Sequence, residues 1–136
     1  MALSQLKHQC GPLGLTAAER LPATRGMLFS WGECANLLLG YPSHVQAVPK
    51  KVEFHCSPFY KQEYFLPRDV SKVQASQYHT LALTRQGQVW AFGVGRKGIL
   101  GNGSEDHAVF PYLIDVPVRV ADVAVGINHS LCVGST

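Results

Sequence analysis

The sequence predicts an all-β fold, and an internal repeat is the main reason. The segment GMLFSWG at residues 26–32 is matched by GQVWAFG at 87–93, and HTLAL at 79–83 is matched by HSLCV at 129–133. Each of these is a short run of aromatic, aliphatic and β-branched residues near a glycine, which is typical of strands joined by tight turns. No window of the chain has a sustained apolar period of 3.6 residues, so we expect little helix.

The length of the repeat indicates the architecture. Gly87 follows Gly26 by 61 residues, whereas His129 follows His79 by 50. The first unit therefore carries about 11 extra residues, expected as a surface loop at about 50–67, because loops tolerate insertions. A unit of about fifty residues has the size of a propeller blade. Two units at 26–86 and 87–136 predict a partial β-propeller of about two blades, an incomplete ring, since closure takes about four to eight blades.

The predicted strands follow one another in antiparallel meanders. They are Leu28–Trp31, Lys72–Ser76, His79–Thr84, Gln88–Phe92, Asp122–Val125 and Ser130–Val133. The short connection that ends at Gly87 predicts a hairpin, because glycine can take the positive φ that such a turn needs. The runs at 28–31 and 89–92 are apolar on both faces, which predicts a neighbouring sheet on each side of them.

A longer pattern in the second unit resembles the regulator of chromosome condensation repeat. It consists of Val73, Ala75, His79, Ala82, Leu83, Thr84, Gly87, Val89, Phe92, Gly93, Gly98, Leu100 and Gly101. The resemblance spans about residues 26–133 and is looser in the first unit, where Leu37 and Leu38 replace the usual Gly-Gln step. It implies a seven-bladed propeller in the complete family fold. It also implies structural roles for the recurring positions Gly32, Gly40, His79, Gly87, Gly93, Gly98, Gly101 and His129.

What the resemblance implies about activity is broad. The founding member of the family is a chromatin-bound exchange factor for a small GTPase, and other members are scaffolds, ligase modules, or ciliary and mitochondrial proteins. The order of Pro49, the insertion with Pro58-Phe59, and Val70-Ser-Lys72 resembles the mitochondrial branch. We therefore expect an intracellular protein, with mitochondria favoured over cytoplasm or nucleus. Two units suggest a fragment, a short isoform or the C-terminal end of a longer protein.

Residues 1–25 form a leader that we expect to be disordered or foreign to the repeat. Lys7, Arg20 and Arg25 against the single acid Glu19 would suit a mitochondrial presequence, but Gly11-Pro12 and Gly14 break any long amphipathic helix there.

Three motifs that could indicate chemistry have a simpler explanation in the repeat. Residues 93–98 (GVGRKG) fit the dinucleotide fingerprint, yet the fingerprint requires a following helix, and residues 99–104 have no helical period. No C-x-x-C or H-x-x-x-H spacing occurs, so no metal site is expected. His79 and His129 recur in register, whereas a catalytic group is normally unique, so we expect a histidine that hydrogen-bonds within its own blade. The sequence predicts no catalytic, cofactor-binding or metal-binding residue.

The remaining features favour a protein-binding function. The net charge of +3 is the balance of twelve basic and nine acidic residues, and the basic residues are spread along the chain, which argues against a nucleic-acid partner. No apolar run is long enough for a membrane span. We expect a non-catalytic interaction scaffold without a small-molecule substrate, and the alternative is an exchange factor whose partner is a small GTPase. Phe59 and Tyr60, in the insertion, are candidate partner-binding anchors, because aromatic residues on exposed loops often are. The equal alternative is that these aromatics tuck under the blade and cover its edge.

Overall fold

The computed structural model describes residues 26–54 and 69–135, and this part of the chain contains eight strands. They are β1 (Phe29–Glu33), β2 (Val45–Lys51), β3 (Val70–Ala75), β4 (His79–Thr84), β5 (Val89–Gly93), β6 (Ala108–Ile114), β7 (Arg119–Val125) and β8 (Ser130–Ser135). All pair antiparallel, in three sheets with the orders β1-β2, β3-β4-β5-β6 and β7-β8. The chain is thus an all-β partial propeller with one four-stranded blade between two half-blades. Each of the six predicted strands is present, with ends shifted by up to three residues.

The middle sheet is the core of the molecule, and its two faces belong to two clusters. Successive side chains of a strand point to opposite faces. Leu81 and Val89 accordingly pack with Val120 and Val123 of the β7-β8 sheet. Ala82 and Trp90 pack on the other side with residues of the first unit. Every residue of β4 and β5 is buried, which confirms that the run at 89–92 is covered on both sides.

The same prediction is wrong for β1. Trp31 is 60% exposed and Phe29 is 43% exposed. The reason is positional, because β1 and β2 have the middle sheet on one side and no described sheet on the other.

The turn between β4 and β5 has the predicted geometry and a second role. Gly87 has a φ of +85°, and its amide donates to the Thr84 carbonyl at 2.9 Å. The Gln88 amide donates to the Thr84 hydroxyl at 3.1 Å. The Gly87 carbonyl accepts from the Val120 amide at 3.0 Å, so the turn also ties the middle sheet to β7.

The two strands that sequence patterns missed, β2 and β6, each contain a proline. Pro49 lies in β2 and Pro111 in β6, each at the outer edge of its sheet. Proline lacks the amide that a central strand needs and is confined to edge positions and bulges. A proline within an apolar run therefore argues against a strand in sequence analysis, even where the run forms an edge strand in the structure.

The expected insertion loop begins later than the sequence suggested. Lys50 and Lys51 are the last residues of β2. Val52 and Phe54 are 1% and 8% exposed, and the Phe54 ring meets Trp90 edge to face with centroids 5.3 Å apart. Phe54 is thus a core residue of the blade. Residues 55–68, with Phe59 and Tyr60, and the predicted leader at 1–25 lie outside the described residues.

Candidate functional site: the His79 network and the end faces

His79 is fully buried and links two sheets through its ring. Its Nδ1 lies 3.0 Å from the Ser76 hydroxyl, within the same blade. Its Nε2 lies 2.8 Å from the Ser130 hydroxyl, the first residue of β8. Ser130 donates its own proton to the Ile99 carbonyl at 2.8 Å. Because a hydroxyl has one proton, Ser130 accepts from Nε2–H, so Nε2 of His79 carries a proton.

The electrostatics favour the neutral form of the ring. Burial lowers the pKa of His79 from its ordinary value of 6.5, and the nearby His129 lowers this pKa further. Each nitrogen of the buried ring lies within hydrogen-bond distance of a serine hydroxyl, one in its own blade and one in β8. His79 thus connects the middle sheet to the β7-β8 sheet, whereas the sequence predicted a hydrogen bond within one blade; its structural role stays a prediction.

His129 repeats His79 in the backbone but not in its side chain. The Gly126 amide donates to the His129 carbonyl at 2.9 Å, as the Ser76 amide does to His79. The His129 ring, however, is exposed and covers Gly126, where a side chain equivalent to Ser76 would clash with it. The predicted hydrogen bond of His129 within its blade is thus not observed, because glycine replaces the serine that would make it.

The glycine-rich segment after β5 is not arranged to hold a phosphate. Only a single 3-10 turn, Arg96–Gly98, follows the strand. The Gly95 amide donates to His107 Nδ1 at 3.0 Å, and the Gly98 amide donates to the Gly95 carbonyl at 3.1 Å. A dinucleotide site needs such amides free at the N-terminus of a helix. The six glycines predicted as structural positions of the repeat all have positive φ, in keeping with turn positions: Gly32, Gly40, Gly87, Gly93, Gly98 and Gly101.

Other common site types are also missing from the described ranges. Residues 26–54 and 69–135 hold no group of three or more histidine, cysteine or acidic side chains able to bind a metal. In the same ranges no helix is long and apolar enough to cross a membrane.

Lys72 and Asp122 form an ion pair between β3 and β7, and the hydrogen bond from Lys72 lowers the pKa of Asp122.

Exposed apolar side chains lie on the strands at both ends of the sheet stack. On β1, Phe29 and Trp31 are exposed, and on β8, Leu131 and Val133 are each 61% exposed. Beside β8 lies a groove of about 390 Å³ whose walls include Leu100, Ile114 and Leu131. Sequence reasoning missed these faces, although a signal existed, since Phe29 and Leu131 align with the buried Trp90 and Leu81 of the complete blade.

Comparison with known proteins agrees with this architecture. A family model described as the regulator of chromosome condensation (RCC1) repeat matches residues 86–133, and a second model of that repeat matches residues 70–99. The chain is 40% identical over 65 residues to the human E3 ubiquitin-protein ligase HERC2, covering 46% of this chain and 1% of that protein. It is 30% identical over 105 residues to the human RCC1-like G exchanging factor-like protein, covering 76% of this chain and 22% of that protein.

The fold is also similar to a solved propeller. The crystal structure of human WBSCR16 aligns with a TM-score of 0.66 and 28% identity, over 82% of this chain and 27% of that one. The chain thus spans only a small part of the length of the relatives it matches.

Proposed function

This chain belongs to the regulator of chromosome condensation repeat family, and from that premise we propose that it is a non-catalytic interaction scaffold for protein partners. The His79 network carries the proposal. His79 is the one buried histidine in the described ranges, and its ring nitrogens lie within hydrogen-bond distance of Ser76 in its own blade and Ser130 in the next sheet. A buried group that connects two sheets in this way stabilises a binding platform.

The partner-specific surface that we propose is the insertion of the first unit. Phe59 and Tyr60 have no counterpart in the second unit, whereas the blade residues around them repeat. Large aromatic side chains contribute most of the binding energy at many protein interfaces. Phe54, at the start of the same aromatic-rich stretch, is committed to the core, so binding is assigned to the residues beyond it.

An exchange factor for a small GTPase is the second candidate. One observation favours it: the relative matched over 105 residues is named as a G exchanging factor-like protein. Such activity would need only binding, because a protein that prefers the nucleotide-free GTPase shifts its equilibrium towards nucleotide release. A mitochondrial location is proposed on the sequence pattern alone.

The test combines binding, stability and exchange. The double variant Phe59→Ser, Tyr60→Ser is compared with the native chain in affinity capture from a mitochondrial and a cytosolic extract, followed by mass spectrometry and thermal unfolding. A scaffold predicts that the native chain captures a defined set of proteins, and that the variant loses them with unchanged unfolding. Loss of stability in the variant would assign the aromatics to the core and remove the proposed surface.

Release of a fluorescent GDP analogue from a panel of small GTPases separates the two candidates. A scaffold leaves the release rates unchanged at any concentration of the chain. Accelerated release from one GTPase would favour the exchange factor and contradict the scaffold as the main function.

A further inference from the structure

The loop between β5 and β6 contains the dipeptide Asn102-Gly103, which the repeat itself does not require. The equivalent residues of the first unit, 61 positions earlier, are Tyr41-Pro42. Gly40 and Gly101, the residues before the two dipeptides, have φ of +84° and +71°, so the backbone of the two loops is alike at this point. The Asn-Gly step is therefore a property of the second unit and not of the turn.

The side chain of Asn102 folds back over the peptide unit of Gly103. Its Oδ1 accepts a hydrogen bond from the Ser104 amide at 3.1 Å, the contact that defines an Asx turn. Its Nδ2 donates to the Asp106 carbonyl at 3.4 Å, a long and weak contact. The Ser104 hydroxyl lies 3.3 Å from the same Oδ1 and 3.1 Å from Asp106 Oδ2, and its one proton serves one of them at a time. A donor fixed on Oδ1 stabilises the negative charge that this oxygen gains when a nucleophile attacks Cγ.

The Gly103 amide nitrogen is available as that nucleophile. In the part of the chain that the structure describes it donates to no acceptor, whereas the amides of the nearby Gly101 and Ser104 do. Gly103 is exposed, and a Cβ built on it would have no neighbour within 4 Å, so water reaches this peptide unit. Because glycine has no Cβ of its own, no side chain crowds the approach of its nitrogen to Asn102 Cγ.

The other two asparagines of the chain lack this combination. Asn36 precedes Leu37, whose branched side chain crowds the nitrogen that would attack, and the Asn36 Nδ2 donates to the Gln77 carbonyl at 2.8 Å. Asn128 precedes His129, which also carries a large side chain. Asn102 should therefore react before either of them.

We propose that Asn102 is a site of spontaneous deamidation in the folded chain, through a cyclic imide formed with Gly103. The Gly103 nitrogen forms a bond to Asn102 Cγ, and the proton of that nitrogen passes to water or hydroxide. The bond between Cγ and Nδ2 breaks, and Nδ2 leaves with its two hydrogens and one further proton from water as ammonia. Water, the one co-reactant, then opens the five-membered ring at either carbonyl. The product is aspartate or isoaspartate at residue 102, with no change in oxidation state.

The product changes the charge and the hydrogen bonding of the loop. The new carboxyl group is ionised at neutral pH, so the formal net charge falls by one from +3. Residue 102 loses the donor that reaches the Asp106 carbonyl, and its carboxylate competes with that of Asp106 for the Ser104 hydroxyl. Isoaspartate also adds one main-chain carbon close to Leu100, which is 1% exposed in the core of the blade. The reaction therefore weakens the loop where it joins the core, whichever partner the chain binds.

Peptide mapping of the full chain tests the site directly, because trypsin places the three asparagines in separate peptides: 26–50, 98–119 and 120–136. The native chain is incubated at neutral pH, with its fold followed by circular dichroism, and is digested at intervals; a sample digested at the start gives the background. We expect the peptide 98–119 to gain one dalton and to become a substrate for an isoaspartate-specific methyltransferase, while the other two peptides keep their mass. Incubation in water enriched in heavy oxygen should place one labelled oxygen in the product, as hydrolysis of the imide requires.

Gly103→Leu is the matched control, because it copies the Asn36-Leu37 step, in which Leu37 has a φ of +61° against +81° at Gly103. It keeps Asn102 and adds a branched side chain at the attacking nitrogen, so the mass gain should fall to the level of the Asn36 peptide. Asn102→Gln removes the five-membered ring and should abolish the methyltransferase label. A Gly103→Leu chain that converts as fast as the native chain would exclude attack by this nitrogen. The proposal is overturned if Asn102 keeps its amide in the folded chain while the urea-unfolded chain converts, or if all three peptides convert equally.

Discussion

The Nε2 atom of His79 lies 2.8 Å from the hydroxyl of Ser130, which joins the buried centre of one blade to the first residue of the next pair of strands. Removing one partner of a buried hydrogen bond costs more free energy than the bond contributes on formation, because the other partner stays buried without a hydrogen bond. The contact therefore makes the β7-β8 sheet depend on the middle sheet. It also allows the structural role of the histidine to be tested apart from any activity.

His79→Gln should lower the free energy of unfolding by about 1–3 kcal/mol, because Ser130 and Ser76 lose their ring partner. Denaturant unfolding followed by circular dichroism measures this directly. His129→Gln is the control in register, and its exposed ring predicts a change within about 0.5 kcal/mol. Equal decreases in the free energy of unfolding of the two variants would show that the hydrogen bond between His79 and Ser130 does not cause the destabilisation.

The stability of the chain should fall as the pH drops below about 6.5. The pKa of His79 is lowered in the folded chain, so between its folded value and the unfolded value of 6.5 the unfolded chain binds more protons. Stability then rises with pH in that window, is fully present above 6.5, and is lost as the pH falls towards the folded pKa. Thermal unfolding from pH 7.5 to 5 measures the slope. The His79→Gln variant should show a smaller decrease over this range, and an unchanged decrease would assign it to other groups.

Gly87→Val should lower the free energy of unfolding by more than backbone strain at this position alone would. A β-branched residue at a φ of +85° costs about 1–3 kcal/mol. A side chain at Gly87 would in addition come within 3.0 Å of Arg119 Cβ and 3.1 Å of the Val120 amide nitrogen. Gly103→Val is the control, because Gly103 has a φ of +81° and a side chain there would meet no neighbouring group within 4 Å of its Cβ. Chemical unfolding of both variants should rank Gly87→Val as the less stable, and the reverse order would mean that the contact with β7 relaxes freely.

The sequence revealed the blade because the repeat encodes it twice. His79, Gly87 and the fully apolar run of β5 recur in pattern and take the predicted conformations. Local patterns did not reveal β2 and β6, since Pro49 and Pro111 are acceptable only at the edge of a sheet, and the edge is a property of the whole fold.

Burial at the ends was harder to predict than strand identity. Trp31 and the buried Phe92 occupy equivalent positions, but only Phe92 has a sheet on both sides. A repeat pattern reports the environment that a residue would have in a complete blade. It does not report whether a neighbouring strand or sheet covers that residue in the folded chain. His129 and Leu131 are therefore exposed, whereas His79 and Leu81, at the equivalent positions of the complete blade, are buried.

Phe54→Ala should lower stability by about 3–5 kcal/mol, because it removes a buried ring and leaves a cavity beside Trp90. Phe54 is 8% exposed, and its ring meets Trp90 at an interplanar angle of 87°. Phe54→Leu keeps most of the volume and loses the edge-to-face contact, so about 0.5–1.5 kcal/mol of the loss should be specific to the aromatic pair. Met27→Ala, at a side chain that is 59% exposed, is the control and should change stability little. Equilibrium unfolding of the three variants measures these free energies. If Phe54→Ala is as stable as Met27→Ala, Phe54 is not a core residue and belongs to the predicted surface loop with Phe59 and Tyr60.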